Sequence, residues 1–305
     1  MKEIRDKNVS LLIPAYNVER FLPDLIENAR KQTVPFHEII VYDDASDDKT
    51  ASVASSRGVN ALKGQKNRGS GYARNQLLKA ASTDYVHFHD ADDVGMHPRF
   101  LEMLLPFATK ETAVFSWWKA TNYGKDEEDI YDYPDTVDDW IRFFIGNHVH
   151  LNATIYPRAF LEAHGGFDAT LKQQQDIMLN IAMAAAGLSY QVIPEVLAEH
   201  HRRSDSTINQ VKQAERERWA LEVCERCVDL ISSKHHNAVV GKTLYHTGRL
   251  LAAGDESGFQ EGVALCKRLG LTRLRRYGRL TWLISATAGL ETAMRYKQWR
   301  AKGSD

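Results

Sequence analysis

Cysteine is scarce in this chain of 305 residues: there are three, Cys224, Cys227 and Cys266. They are too few and too clustered for a disulfide framework, which points to a reducing compartment. Cys224 and Cys227 have a zinc-like spacing, but no second pair accompanies them, so buried thiols are expected. Net charge is nearly absent too, at −1, and no global field recruits nucleic acid. Long apolar runs are missing. The longest near the C-terminus, Thr281 to Leu290, is too short to span a bilayer. The N-terminus is charged and polar and lacks a signal-peptide pattern, so a cytoplasmic location is expected. There is no internal repeat and no low-complexity tract.

What is present is a hydrophobic content of 43%, ample for one large domain with an appendage. Val9 to Pro14 reads as a buried strand, and Glu19 to Gln32 as a helix with Phe21, Leu22, Leu25, Ile26 and Ala29 on one face. Strands at Glu38 to Tyr42, Val59 to Leu62 and Asp84 to His89 alternate with helices at Asp47 to Ser56 and Gly71 to Ala81. Asp47 is placed to cap the helix starting at Asp48. This alternation predicts an α/β fold with a parallel sheet covered on both faces. Further strands are expected at Ala113 to Lys119, Ala153 to Tyr156 and Tyr190 to Ile193, with helices at Asp138 to Ile145 and Gln174 to Ala186. The acidic, tyrosine-rich stretch from Asn122 to Asp139 reads as a loop. Beyond about Asn209 helical patterns dominate: Glu215 to Ile231, Ala238 to Ala253, Phe259 to Leu269 and Arg273 to Arg300.

Ligands of such sheets bind outside the carboxyl ends of the strands. Polar clusters sit at those ends here: Tyr16-Asn17, Asp43-Asp44 and Asp90-Ala-Asp-Asp93. Residues two apart on a strand face the same way, so Asp90 and Asp92 can converge on one point. Paired carboxylates there suit a hard cation held against a diphosphate. His87 and His89 alternate along the same strand and read as buried strand histidines.

Taken in order, Val9-Ser-Leu-Leu-Ile-Pro-Ala-Tyr-Asn17, Ile39-Ile-Val-Tyr-Asp-Asp-Ala-Ser-Asp47, Asn67-Arg-Gly through Ala73-Arg-Asn75, Asp90-Ala-Asp-Asp93 and Gly165-Gly-Phe-Asp168 followed by Asp176 resemble the family 2 glycosyltransferases. The resemblance covers roughly residues 8–207. It implies the GT-A fold, a mixed, mainly parallel sheet flanked by helices. It would divide the chain into a catalytic domain over 1–208 and a helical region over 209–305. Within the first, a nucleotide-binding half runs to about residue 95 and an acceptor half from about 96. The activity implied is inverting, metal-dependent transfer of a sugar from a nucleoside diphosphate, UDP most commonly, to an acceptor hydroxyl on a glycan or lipid-linked molecule. The cofactor would be Mn2+ or Mg2+.

The same resemblance assigns roles. Pro14, Tyr16 and Asn17 would take the base and ribose, with Asp44 accepting from the base and Asp43 bracing the loop. Arg68 or Arg74 would meet phosphate at a helix N-terminus. Asp92 would be the direct metal ligand. Asp90, with Ala91 beside it, would contact ribose or the ion, and Asp93 would point away. Asp176 would be the general base. Gln175 stands before it where the family usually has Glu. Gly166, Phe167, Asp168 and Gln175 would face the acceptor; apart from the resemblance, Trp117-Trp118 and the tyrosine-rich stretch read as a sugar platform, with Trp117 the acceptor candidate. Arg203 stands three before Ser206 where the family often has His, so His200, His201 or the arginines would close over the diphosphate. A nucleotidyltransferase would show a glycine-rich loop near its N-terminus, which Pro14-Ala-Tyr-Asn17 is not. A sugar-nucleotide binder without turnover is a further alternative. From Lys267 to Lys302 there are ten Lys or Arg and one acid, Glu291. That stretch, with Trp282 and Trp299, would either lie on an anionic membrane face, chiefly through 273–300, or pack on the core or a second subunit.

Overall fold

The parallel part of the sheet is built first. In a computed structural model, which describes residues 7–93, 95–122, 128–203, 210–271, 285 and 288–302, strand β1 (Val9–Ala15) is flanked by β2 (Glu38–Asp43) and β4 (Tyr85–Phe88), both parallel to it. Strand β3 (Asn60–Lys63) extends the parallel edge beside β2. The order continues β4-β7-β5-β6, with β7 (Thr154–Pro157) antiparallel to both neighbours, β5 (Thr112–Asn122) and β6 (Glu128–Tyr131) antiparallel to each other, and β8 (Ser189–Arg202) parallel to β5. The sheet is therefore mixed. Because β1, β2 and β4 run the same way, their carboxyl ends share one edge, and that edge carries Tyr16, Asp44 and Asp90.

Alternation along β1 explains the layers. Val9, Leu11 and Ile13 join Leu22, Leu25 and Ile26 of α1 (Leu22–Arg30) and Phe100, Leu101 and Leu104 of α4 (Phe100–Leu104) in one core. Leu12 and Ile40 are equally buried on the other face, where α3 (Ser70–Ala80) packs on β1 and β2. Helix α2 (Thr50–Ser56) covers β2 and β3.

Several expectations are corrected. The helix expected from Asp48 begins at Thr50, and Asp47 does not cap it. Asp48 does the local work, accepting from Thr50 N at 2.9 Å and Glu19 N at 3.1 Å, while Asp47 N donates to Asn17 Oδ1 at 3.0 Å. The stretch read as a loop from Asn122 holds strand β6, paired to β5 through Trp118↔Tyr131. Strand β8 runs on to Arg202, well past Ile193. His87 and His89 are fully buried, as expected, and bonded to each other at 3.1 Å.

The chain separates into two compact units, residues 1–204 and 205–305. The second is helical: α8 (Gln213–Leu230), α9 (His236–Ala252), α10 (Glu256–Arg268) and α11 (Leu290–Lys302). A Cβ at Gly262 would meet Thr247 Oγ1 at 2.1 Å, so glycine lets α9 and α10 cross closely. Cys224, Cys227 and Cys266 are free and buried here. Among the described residues, no helix is long and apolar enough to cross a membrane. Much of the basic stretch, 272–284, lies outside the described residues, as does Ser206. Arg295 is paired with Glu291 and Glu256.

Candidate active site

Three strand ends and two later segments supply the site. At the end of β1, Tyr16 is 44% exposed and Pro14 half-buried, while Asn17 sits at φ 55° with its amide bonded to Ser46 Oγ at 2.9 Å. At the end of β2, Asp43 Oδ1 accepts from Ser46 N at 2.8 Å, bracing the turn. Asp44 is buried, and its Oδ2 accepts from Arg68 N at 2.8 Å and Gly69 N at 2.7 Å. Half of the Asp44 carboxylate is thus spent on the glycine-rich turn rather than offered to a base. Its Oδ1 is buried without a hydrogen-bond partner.

The two candidate arginines have different fates. Arg68 is exposed, its guanidinium 3.8 Å from the centre of the Tyr72 ring. Arg74 is buried and bonds Asp90 Oδ1 at 2.6 Å and Gln175 Oε1 at 2.9 Å. Gln175 also accepts from Ser70 Oγ at 2.8 Å and donates to Leu171 O at 2.7 Å. The expected acceptor contact at Gln175 is corrected accordingly: the side chain is 6% exposed and works from beneath the site. A Cβ on Gly71 would stand 3.2 Å from Gln175, so a glycine admits this approach of α3 to α7 (Gln175–Ala185).

The acidic turn follows β4. Ala91 is buried, and Asp90 N donates to Asn152 Oδ1 at 3.0 Å. Asp92 is bonded to Arg203. Burial pushes its carboxyl pKa up, with Asp93 and Asp90 adding to the rise and Arg203 offsetting it in part. Asp93 turns inward, accepting from Asn152 Nδ2 at 2.8 Å, His201 N at 2.8 Å and His200 Nδ1 at 3.0 Å. Burial alone would raise its pKa, but the bond and charge of His200 bring it down to about 2. The His200 and His201 side chains point to opposite faces of β8, and of the two rings that of His200 reaches Asp93; the His201 ring meets Glu199. Ligand atoms of Asp93, His150 and His200 lie within 4.8 Å of one another, close enough for one ion.

Asp176 opens α7, preceded by Gln174 in the left-handed region at φ 56°. Its Oδ2 is bonded to His148 Nε2, and Oδ1 accepts from Ile177 N at 2.9 Å. Burial would raise this carboxyl, yet the His148 charge and bond, with His150, hold it well below the usual range.

The turn before α7 is clasped by Asn75, which donates to Phe167 O at 2.8 Å and accepts from Phe167 N at 2.9 Å. Gly166 has φ 65°, and a Cβ there would lie 2.6 Å from Asn75 Oδ1. Phe167 is 3% exposed, edge-on to Phe88, which corrects its placement on an open acceptor surface. Asp168 holds Thr170 N at 2.9 Å.

A family model described as Glycosyl transferase family 2 matches residues 10–163, just over half of the chain. The chain belongs to this family. Over 125 residues it is 34% identical to the putative glycosyltransferase EpsH of Bacillus subtilis, covering 40% of this chain and 35% of that protein. Over 116 residues it is 33% identical to an Escherichia coli UDP-Glc:α-D-GlcNAc-diphosphoundecaprenol β-1,3-glucosyltransferase, WfgD, covering 37% and 45%. The match thus spans under half of these curated relatives. Among solved structures, S. aureus TarS 1–349 in complex with UDP-GlcNAc aligns with a TM-score of 0.65 at 17% identity, over 97% of this chain and 92% of that one. The Pyrobaculum calidifontis mannosyltransferase PcManGT, in complex with GDP-Man and Mn2+, gives 0.60 at 16%, over 96% and 87%. At such identities the likeness concerns the fold, which is the GT-A fold.

In this family 2 chain several site residues escape the sequence motifs. His148 and His150 stand two apart on the extended segment after α5 (Trp140–Gly146), so one face delivers both, while Asn152 lies in the short 3-10 turn Leu151–Ala153 that His150 caps. The alternation is the signal that could have found the two histidines. Trp118, rather than the expected Trp117, is the tryptophan beside these histidines, its ring 5.3 Å from His150 and 5.8 Å from His148. Consecutive strand residues diverge, and Trp117 Nε1 donates to Tyr133 O at 3.1 Å instead.

Proposed function

We propose that this chain transfers a sugar from a nucleoside-diphosphate sugar, a UDP-sugar in the first instance, to an acceptor hydroxyl with inversion. One observation carries the reading. Asp176 and the acidic turn belong to one bonded framework, since Gln175, the neighbour of Asp176, holds Arg74, which holds Asp90. A candidate base and a candidate diphosphate site are thereby fixed against each other, the positioning that a displacement between two substrates needs.

In this reading the exposed Tyr16 ring covers the base, in the way bases stack on aromatic faces. The unpartnered Asp44 Oδ1 is a ready acceptor for a base N–H. Asp176 takes the proton of the acceptor hydroxyl as its oxygen bonds to the anomeric carbon and the bond to the diphosphate breaks. No sugar becomes attached to the enzyme, so configuration inverts. An oxygen-rich turn whose Asp92 carboxyl is crowded by two further acids suits a hard divalent cation, Mn2+ or Mg2+; Asp92 and Asp90, which pair with Arg203 and Arg74, would hold it beside His200, whose own close neighbours are Asp93 and His150. When bound, that ion supplies positive charge against the departing diphosphate. The acceptor is proposed to be a glycan or a lipid-linked sugar; the E. coli relative WfgD is named for a lipid-linked one, α-D-GlcNAc-diphosphoundecaprenol.

A thermal-shift screen of nucleoside diphosphates and sugar nucleotides, with and without Mn2+, tests the donor. Metal-dependent stabilisation by one sugar nucleotide is expected, a shift set by ligand concentration over Kd. A screen in which no sugar nucleotide stabilises the folded protein sinks the proposal.

A further inference from the structure

Arg203 follows the last residue of β8, and its guanidinium meets both Asp92 and Phe21. It bonds Asp92 Oδ2, and it lies 4.3 Å from the centre of the Phe21 ring. Its side chain is 13% exposed. The other acids of the turn have their own partners: Asp90 has a second arginine, the buried Arg74, while Asp93 has Asn152, His200 and the His201 amide. Asp92 is therefore the acid of the turn whose charge is met by Arg203. A guanidinium cannot be deprotonated in a protein, so the positive half of this pair does not depend on pH.

We infer that Arg203 and a divalent cation compete for the Asp92 carboxylate, with Arg203 holding it in the nucleotide-free protein. The inference rests on the reading of Asp90 to Asp93 as the cation site of a sugar-nucleotide transferase. Its logic is one of charge. Three carboxylates crowd the turn, and Arg203 supplies one of the positive charges that offset them. A cation arriving at Asp92 must displace that charge, and its affinity is reduced by the strength of the ion pair. An anion that draws the guanidinium away, such as a diphosphate, which arginine grips with two parallel bonds, removes the competitor. Cation and diphosphate then favour each other's binding through Arg203, and the coupling is reciprocal. Phe21 gives the guanidinium an aromatic face to rest on in either position.

The experiment titrates Mn2+ into the nucleotide-free full chain and reads free Mn2+ by electron paramagnetic resonance. Wild type, Arg203→Gln, Arg203→Lys and Asp92→Asn are compared, with circular dichroism melts establishing that each is folded. Arg203→Gln should bind Mn2+ more tightly than wild type by roughly tenfold, within the span of ordinary coupling energies. Arg203→Lys keeps the charge but loses the planar fork, and should show a smaller rise in the same direction. Asp92→Asn should bind more weakly than wild type. If Arg203→Gln does not fold, Arg203→Lys carries the test. Mn2+ affinity in the folded arginine variants equal to or below that of wild type, including no binding in any protein, overturns the inference. Stabilisation of wild type by sugar nucleotides is measured alongside. If it is present while Mn2+ affinity is unmoved, only the competition falls; if it is absent with every sugar nucleotide, the transferase reading falls.

Discussion

The imidazole of His148 is bonded to the carboxylate of Asp176. The histidine side chain is 41% exposed and the acid 17%, so the pair lies at the rim of the site with the acid set deeper. The charge and the bond both favour the ionised acid. An acid kept ionised is ready to accept a proton at every ordinary pH, at the expense of basicity.

Replacing Asp176 by Asn should lower kcat by roughly 10²–10⁴, the usual worth of a positioned acid–base group. Replacing His148 by Ala should act differently. Without the imidazole, the Asp176 pKa rises toward that of a buried carboxyl. If Asp176 is the general base proposed above, it must be ionised, so the acidic limb of the kcat/KM profile should move to higher pH. A pH–rate profile with any saturating acceptor measures this. An unmoved acidic limb in His148→Ala would detach the histidine from the base.

Gln175 bears on the neighbouring framework. The family usually has Glu here, yet Gln175→Glu should not be neutral in this chain. A carboxylate gains charge-assisted contact with Arg74 but cannot donate to Leu171 O, which the amide does at 2.7 Å. It would also sit beside Asp176 and share Arg74 with Asp90. Loss of a buried donor of this kind costs about 1–3 kcal/mol, so denaturant midpoints should fall. A midpoint at or above that of wild type would contradict the account.

How much of this was legible beforehand differs by element. Helices α1 and α3 and strands β1, β2 and β4 follow directly from apolar periodicity, because both faces of the parallel part are covered. The length of β8 does not. Pro194 and Glu195 read as a strand end, but the pairing steps from Ser116↔Ile193 to Trp117↔Val196, so these two residues fall in a bulge and the strand resumes. That continuation is what carries His200 back to Asp93. Strand β6 escaped notice because its residues are mostly exposed edge positions held by pairing rather than by burial. In the site, motif order pointed to Asp92 and Asp176 and offered Arg203 for the diphosphate, whereas the roles of His148 and His150 and the pairing of Arg203 with Asp92 depend on contacts between segments far apart in sequence.

Tyr16 offers a separation of binding from folding. Its ring is exposed, so Tyr16→Ala should change stability by no more than about 0.5 kcal/mol. If the ring stacks on the donor base, the same change should weaken nucleoside-diphosphate binding by about 1–3 kcal/mol, roughly 5- to 150-fold in Kd. Calorimetric titration with UDP measures it. Unchanged affinity would move the base away from the end of β1.

Acid stability should report on the buried imidazoles. Burial lowers the pKa of His150 to about 4, against an ordinary 6.5, and lowers His87 and His89 as well. Each of these groups is neutral in the folded chain while its unfolded counterpart takes up a proton below pH 6.5. The unfolded state thus binds more protons between about pH 6.5 and 4, and stability must fall as pH falls through that window. A shift of this size in His150 alone amounts to about 3 kcal/mol by pH 4, an order-of-magnitude figure. His200 works in the opposite sense: burial lowers its pKa, but the bond and charge of Asp93, with Asp90 and Asp92, raise it overall. Its contribution is complete below pH 6.5 and is lost only as pH rises through its folded value, so it does not oppose the acid-side slope. Replacing His150 by Gln should therefore flatten the decline of unfolding free energy between pH 6.5 and 4, measured by denaturant titration at several pH values, whatever it does to stability at neutral pH. An unchanged slope in that variant would mean that the His150 imidazole is not held neutral by its burial.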